Sequence, residues 1–262
     1  VIKVAIEKGI ATEEHINAFI NTCINSHKST DLKDVINYLK AFIENGEFAN
    51  DSEKTKTIQS YITQFVNAGK QVEENSKNTY IPTVASVINV AIEKGIVTEQ
   101  HINDFMIVCP NEKQDVVADV LETAIDNVRN DIKSNEFDNT WLNDRISHYI
   151  NACSEKGTDG IYKFNDNSEI LVARVLIAAL ASDKFLENNE TATQIITTFI
   201  DRIPKSRMDV AALVLEAACK KGVATEETIE KFINNFIING KRIGITNTNN
   251  PSVVGNVLTA VI

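Results

Sequence analysis

Cysteine and histidine are the residue types in this chain that could act as nucleophiles or bind a metal, and there are four of each. No two cysteines have the CxxC spacing that is typical of zinc and redox sites. The sequence also has no glycine-rich phosphate loop, no HExxH zinc motif and no GxSxG nucleophile motif. We therefore expect no catalytic residues, no metal site, no cofactor and no enzyme activity.

The cysteines follow a repeated pattern rather than a reactive one. Three of them lie four residues after an aromatic residue, in the pairs Phe19/Cys23, Phe105/Cys109 and Tyr149/Cys153. A recurring position of this kind indicates a small core residue, and buried free cysteine is common in cores. His15 and His101 also share one position, which Thr228 takes in a third copy. We expect these two histidines to be inherited surface or groove residues, and all four cysteines, including Cys219, to be free.

The elements that carry these residues recur with a mean period of about 43 residues, which is typical of stacked helical hairpins. One motif, Ile-x-x-Phe/Tyr, occurs six times, and its predicted core pairs are Ile16/Phe19, Ile62/Phe65, Ile102/Phe105, Ile146/Tyr149, Ile196/Phe199 and Ile229/Phe232. A second motif interleaves with it and starts at Val1, Tyr38, Val87, Val120, Val175, Val214 and Val257. Segment 87–106 matches segment 1–20 at 15 of 20 positions, which indicates internal duplication.

Each repeat is predicted to contain two helices, A and B, because its apolar residues form a helical stripe. The predicted A helices are 1–8, 31–45, 83–94, 113–132, 168–182, 206–221 and 252–262. The predicted B helices are 12–27, 52–68, 98–109, 138–153, 189–203 and 225–238. Glycines are expected to end A helices and threonines to begin B helices. Each proline is expected just before an A helix, at Pro82, Pro110, Pro204 and Pro251. We expect almost no β-strand.

The connections between repeats alternate in length. Long connections are predicted after repeats two, four and six, at 69–81, 154–167 and 239–250. This indicates three four-helix units of about 86 residues, at about 1–81, 82–167 and 168–251, with the start of a further repeat at 252–262. The predicted fold is all-α: a single right-handed α-solenoid of about six two-helix repeats over residues 1–262. Because the chain begins and ends inside predicted helices, we expect it to be a fragment of a longer protein.

Two-helix units of this period, with proline before helix A, resemble the HEAT and armadillo class of α-solenoids. The resemblance covers the whole chain and lies in the period and the helical pattern, not in a family-specific residue signature. It implies a superhelical scaffold that holds peptides or partner proteins along a concave surface.

The long connections are the candidate binding segments. Each carries two basic residues, and two of them carry aromatic residues. Insertions that recur in a solenoid emerge along one edge, which is often the binding edge. The alternative interpretation is a duplicated connector that packs over the ends of the hairpins. The candidate partner-binding residues are Lys70, Lys77, Tyr80, Lys156, Tyr162, Lys163, Phe164, Lys241 and Arg242.

Charge and hydropathy restrict the class of partner. A net charge of −10 disfavours nucleic acid, which requires basic surface. The longest apolar run, 170–181, is interrupted by Arg174 and is too short to cross a bilayer, so we expect no membrane insertion. We predict a protein–protein interaction scaffold that binds a protein or peptide. The alternative is a structural spacer, in the surface-exposed repeat region of a larger secreted or surface protein of an intracellular microbe. Free cysteines favour a cytoplasmic location, and a secreted or surface parent protein is the alternative.

Overall fold

A computed structural model describes residues 4–5, 8, 10–25, 29–45, 52–130, 137–165 and 167–234. Within these ranges the protein is helical apart from one short β-hairpin, which confirms the predicted all-α class. Backbone contacts divide the chain into two compact units, Val1–Phe137 and Asp138–Ile262.

The described part of the first unit contains six α-helices arranged in two rows. They are α1 (Glu13–Asn25), α2 (Ser29–Asn45), α3 (Ser52–Ala68), α4 (Glu74–Glu93), α5 (Glu99–Val108) and α6 (Gln114–Arg129). In one row α2 packs against α4 and α4 against α6, and in the other α1 packs against α3 and α3 against α5. The predicted A helices therefore form one row and the predicted B helices the other.

The second unit repeats this arrangement with two additions. Its elements are α7 (Asn139–Ala152), β1 (Ser154–Lys156), β2 (Tyr162–Phe164), α8 (Ser168–Leu180), α9 (Asp183–Leu186), α10 (Asn189–Arg202), α11 (Met208–Lys220) and α12 (Glu226–Ile233). The A helices α8 and α11 pack together, and the B helix α10 packs against both α7 and α12. The one-turn helix α9 and the β-hairpin were not predicted from the sequence.

The core follows the repeated Ile and aromatic pairs, because residues at i and i+3 share one face of a helix. Ten of the twelve predicted side chains are at most 2% exposed. Phe19 and Ile229 are half-buried. The burial of the other ten confirms the predicted register of the B helices.

Turns between A and B helices also follow the predicted chemistry. Gly95 and Gly222, after α4 and α11, have φ angles of 66° and 72°. Glycine adopts this left-handed conformation without a steric penalty. The next B helices then begin after Thr98 and Thr225, as predicted.

The two histidines of the repeat cap B helices. The Nδ1 atom of His101 accepts a hydrogen bond from the Thr98 amide at 3.1 Å, so its Nε2 carries the proton and donates to the Gln59 carbonyl at 3.1 Å. His15 makes the same contact with the Thr12 amide, at 3.2 Å. His15 is exposed and His101 is buried, so the prediction of a surface or groove residue is wrong for His101.

Helix α4 begins about nine residues earlier than predicted. It starts at Glu74, so most of the predicted long loop 69–81 is helical and Pro82 lies inside the helix. Both of those predictions are wrong, and burial explains why. Tyr80 and Ile81 are each 1% exposed, and the Tyr80 hydroxyl donates to the Phe65 carbonyl at 2.7 Å. This apolar burial and hydrogen bond offset the cost of the helical hydrogen bond that Pro82 cannot make, because proline has no backbone N–H.

Pro110 and Pro204 do precede A helices, as predicted. Each leads into a one-turn 3-10 helix, Asn111–Lys113 or Lys205–Arg207, before α6 or α11 begins. Pro251 lies outside the described residues.

Candidate partner-binding groove

The candidate residues of the first long connection differ in exposure. Lys70 is exposed and donates to Asn67 Oδ1 at 2.9 Å. Lys77 and Tyr80 both belong to α4, where Lys77 is half-buried and Tyr80 is buried. The burial of Tyr80 argues against its predicted role as a partner contact. Lys241 and Arg242 lie outside the described residues, and their role stays a prediction.

The candidate residues of the second long connection lie together on the β-hairpin. Its strands are antiparallel, with Lys156 opposite Tyr162 and Ser154 opposite Phe164. Phe164 is buried, with its ring centroid 5.5 Å from that of Phe199 in α10. Phe164 therefore anchors the hairpin, and its burial argues against its predicted role as a partner contact, whereas Tyr162 is 47% exposed.

A charge pair closes the tip of the hairpin. The Asp159 carboxylate accepts from Lys163 Nζ at 2.7 Å and from the Ile161 amide at 3.1 Å. These bonds, first of all the one from Lys163, hold the pKa of Asp159 below its ordinary value. The charge of Lys163 is thus balanced within the hairpin.

Arg202, the last residue of α10, forms a cationic corner with the hairpin. Its Nη1 donates to Asn151 Oδ1 at 2.7 Å and to Ser154 Oγ at 3.3 Å. The guanidinium carbon lies 5.1 Å from the centroid of the Tyr162 ring, and Lys156 Nζ lies 6.0 Å from the same centroid. Both distances fall within the range of cation–π attraction.

The charge of Arg202 is partly removed from water. Desolvation by burial lowers the pKa of Arg202, and the nearby Tyr162 acts in the opposite direction. Among the described residues, no carboxylate forms an ion pair with this guanidinium. Because arginine stays protonated, the corner presents a positive charge whose described neighbours at hydrogen-bond distance are neutral.

A groove of about 180 Å³ lies between α7 and α10 and is lined at one point by Arg202 and its acceptor Asn151. Its lining residues are Ser147, Ile150 and Asn151 from α7 and Thr191, Gln194, Ile195, Thr198 and Arg202 from α10. Apart from Arg202, the polar lining groups are neutral amides and hydroxyls. The groove therefore offers hydrogen-bond donors and acceptors without negative charge, on a protein whose net charge is −10.

The equivalent end of the α3–α5 pair in the first unit is closely packed. Aligned by the repeated Ile and aromatic pairs, Val108 takes the position of Arg202, and Gly69 that of Cys153. A Cβ atom added to Gly69 would lie only 2.7 Å from Val108 Cγ1. Arg202 thus replaces an apolar side chain that contacts the neighbouring repeat in the first unit.

Arg202 was not predicted as a candidate residue because it lies in a predicted B helix and not in a long connection. The sequence does contain a signal that could have identified Arg202, since its residue type departs from the repeat pattern. At six residues after the repeated Ile, the earlier repeats have Thr22, Ala68, Val108 and Ala152, and the fifth repeat has Arg202.

Burial disfavours the thiolate form of the cysteines whose side chains the structure describes. Burial raises the pKa of Cys109 to about 12 and that of Cys153 to about 11. Cys219 is half-buried, and burial is again the largest cause of its raised pKa. All three are free thiols, and the Cys23 side chain lies outside the described part.

The described residues contain no group of three or more His, Cys, Asp or Glu side chains placed to hold a metal ion. None of the helices in the described ranges combines the length and the apolarity that crossing a membrane requires.

Comparisons of the chain with protein-family models, with curated proteins and with solved structures find no match.

Proposed function

We propose that this chain is a protein-interaction scaffold, an α-solenoid whose groove between α7 and α10 binds a segment of a partner protein. The two rows of helices in each unit support an array of stacked hairpins, because the helices of one hairpin pack on those of the next. The right-handed sense and the count of about six hairpins stay predictions from the sequence. The groove between the B helices α7 and α10 differs from the closely packed junction of α3 and α5, and such differences between repeats can specify a partner.

The observation that carries the proposal is the corner of Arg202 and Tyr162 beside the groove. Tyrosine and arginine are among the residues that dominate the binding energy of protein interfaces. Here both are held in place, Tyr162 by the paired strands and Arg202 by Asn151 and Ser154. Side chains held in this way lose less conformational entropy when a partner binds.

The alternative function, a structural spacer, calls for a uniformly polar surface. The A helices of the second unit instead expose three large apolar side chains. Ile170 and Ile177 of α8 are 41% and 40% exposed, and Leu213 of α11 is 47% exposed. Together with the groove, these residues favour a surface that contacts other proteins.

A peptide selection tests the proposal without a known partner. The intact chain is immobilised and challenged with a phage-displayed library of random peptides. We expect enriched peptides that bind the wild type and lose at least about tenfold in affinity for the variant Gln194→Trp, whose indole fills the groove.

The repeat supplies a matched control. Gln100 occupies the position of Gln194 in the α3–α5 pair and is equally exposed. The variant Gln100→Trp should bind the selected peptides like the wild type. A library that yields no enriched peptides, or peptides that bind both variants equally well, would contradict the proposed groove.

A further inference from the structure

We infer that the partner segment is acidic, and that Arg202 binds the carboxylate of one of its Asp or Glu side chains beside the Tyr162 ring. This inference rests on the proposed function and adds the chemistry of the partner. It depends on three observations: an uncompensated cation, a fixed guanidinium orientation and a neutral groove.

The first observation concerns charge. Partial burial of a charged group is unfavourable unless a partner of opposite charge or good hydrogen bonds compensate it. Arg202 has two neutral acceptors, Asn151 and Ser154, and no carboxylate partner among the described residues. A carboxylate of a bound peptide would supply this compensation. Because Arg202 is already partly buried in the free protein, only the remaining part of its desolvation cost is incurred when the peptide binds.

The second observation concerns geometry. The Ser154 hydroxyl donates to the Ile150 carbonyl at 2.7 Å, which leaves its oxygen to accept from Arg202. Both bonds from Arg202 to described residues use Nη1, whereas a guanidinium has five N–H donors in a planar fork. The remaining donors match the two oxygens of a carboxylate, which arginine binds in a bidentate manner.

The third observation separates a carboxylate from other anions. A nucleic acid would present many phosphates to a chain of net charge −10, which is unfavourable. Lys163 is paired with Asp159, and Lys156 lies 6.0 Å from the centroid of the Tyr162 ring. Arg202 is therefore the one cation in the groove lining itself, and a single guanidinium fork matches a single negative charge.

The neutral part of the groove suits the rest of the segment. A peptide main chain presents amide donors and carbonyl acceptors in alternation. Gln194, Thr191 and Thr198 provide amide and hydroxyl groups along one side of the groove, and Ser147 and Asn151 provide them along the other. We therefore place the acidic side chain at Arg202 and the neighbouring main chain along α10.

The experiment uses the peptides selected on the wild-type chain. Each Asp or Glu of a selected peptide is replaced in turn by Asn or Gln, and affinity is measured by fluorescence anisotropy. At one acidic position we expect a loss of about tenfold or more, because hydrogen bonds between charged groups are the strong ones. The same replacement should cost less than about threefold when the protein carries Arg202→Gln, because the effects of contacting groups are not additive.

Controls separate recognition by Arg202 from a general loss of positive charge. Lys220→Gln removes a cation of α11 that Glu216 already balances, so affinity should change less than about twofold. Arg202→Lys keeps the charge but loses the planar fork, so an intermediate affinity is expected. Replacement of acidic residues in the peptide needs no change in the protein, so that arm of the test stands even if an Arg202 variant fails to fold.

The outcomes distinguish the inference from the proposed function. If the peptides are sensitive to Gln194→Trp but indifferent to loss of every acidic residue, the scaffold stands and the carboxylate inference fails. If a phosphoserine at the acidic position binds more tightly than Asp or Glu, the site belongs to a phosphate. If no peptide depends on the groove, both the inference and the proposed function fail.

Discussion

The connection after α3 and the connection after α7 leave equivalent B helices and are built differently. After α3, residues 69–73 lead directly into α4, and Gly69 contacts Val108 of the neighbouring repeat. After α7, the chain forms the β-hairpin and meets Arg202 where the first unit has Val108. The close contact of the first junction excludes even a Cβ atom, whereas the second junction leaves room for a charged side chain.

An asparagine at the same position accepts from a cation in both junctions. Asn67 Oδ1 accepts from Lys70, the exposed residue three positions later, at 2.9 Å. Asn151 Oδ1 accepts from Arg202, which comes from the neighbouring repeat, at 2.7 Å. The first bond is local and leaves a flexible cation in water, whereas the second joins two B helices and orients a guanidinium beside the groove. The same acceptor thus has a local role in one unit and positions a candidate binding group in the other.

Truncation of Tyr80 and of Tyr162, one from each connection, should have the most different effects on the free energy of unfolding. Tyr80→Ala should lower the free energy of unfolding by about 3–5 kcal/mol, because it empties a buried aromatic site. Tyr162→Ala should lower it by about 1 kcal/mol or less, because the side chain is 47% exposed and its described ring contacts are those with Arg202 and Lys156. Urea unfolding followed by circular dichroism measures both. Equal losses would show that the two rings have the same environment.

The two equivalent positions Gly69 and Cys153 should respond differently to alanine. Gly69→Ala places a Cβ atom 2.7 Å from Val108 Cγ1, so we expect a loss of about 1–3 kcal/mol through overpacking. Cys153→Ala removes only a buried sulfur and should cost about 1 kcal/mol.

A double variant checks the cause of the larger loss. Val108→Ala removes the methyl groups that the new Cβ atom would meet, so Gly69→Ala should cost less in that background than in the wild type. Additive losses in urea unfolding would argue against a clash between these two positions.

Alkaline pH should weaken the fold through the buried thiols. An unfolded cysteine ionises with a pKa of about 8.5, whereas the pKa is raised to about 12 at Cys109 and about 11 at Cys153. Because the folded thiol keeps a proton that the unfolded thiol loses, the stabilisation is complete below about pH 8.5 and declines toward pH 11–12. Between pH 8 and pH 10 we expect a loss of about 1–2 kcal/mol for each buried thiol.

Two measurements isolate this effect from other titrating groups. Cys109→Ala and Cys153→Ala should each reduce the loss of stability between pH 8 and pH 10 relative to the wild type. In a background that carries Cys23→Ser and Cys219→Ser, Ellman's reagent at pH 8 should label Cys109 and Cys153 only as the protein unfolds. Rapid labelling of either thiol in the folded protein would contradict its burial.

The smallest difference between the two connections is expected when only the hydroxyl groups of Tyr80 and Tyr162 are removed. Tyr80→Phe removes the buried bond to the Phe65 carbonyl and should cost about 1 kcal/mol. The loss stays modest because that carbonyl also accepts from the Gly69 amide at 3.2 Å. Tyr162→Phe should leave stability unchanged and keep the ring face that Arg202 contacts. A larger loss for Tyr162→Phe would indicate a buried hydroxyl in the hairpin.

Much of the helical frame was predictable because its determinants are local. The predicted helix 52–68 matches α3 at both ends, and 168–182 and 189–203 differ from α8 and α10 by at most two residues. An amphipathic stripe, a glycine after the last turn and a threonine before the next helix act within a few residues of sequence. Of the candidate site, the sequence predicted Lys156 and Tyr162 through the recurrence of basic and aromatic residues in the long connections.

By itself, the sequence determined where most of the described helices lie and which faces of the B helices are buried, but not the early start of α4 or the short helix α9. Tertiary structure decided which connection residues are exposed. Tyr80 and Phe164 lie inside because neighbouring helices supply Phe65 and Phe199 as partners. It also decided that Arg202 meets a hairpin 38–48 residues earlier in the chain, at Ser154 and Tyr162. Such contacts depend on how two repeats dock, and periodicity within one repeat carries no information about which long-range neighbours a side chain acquires.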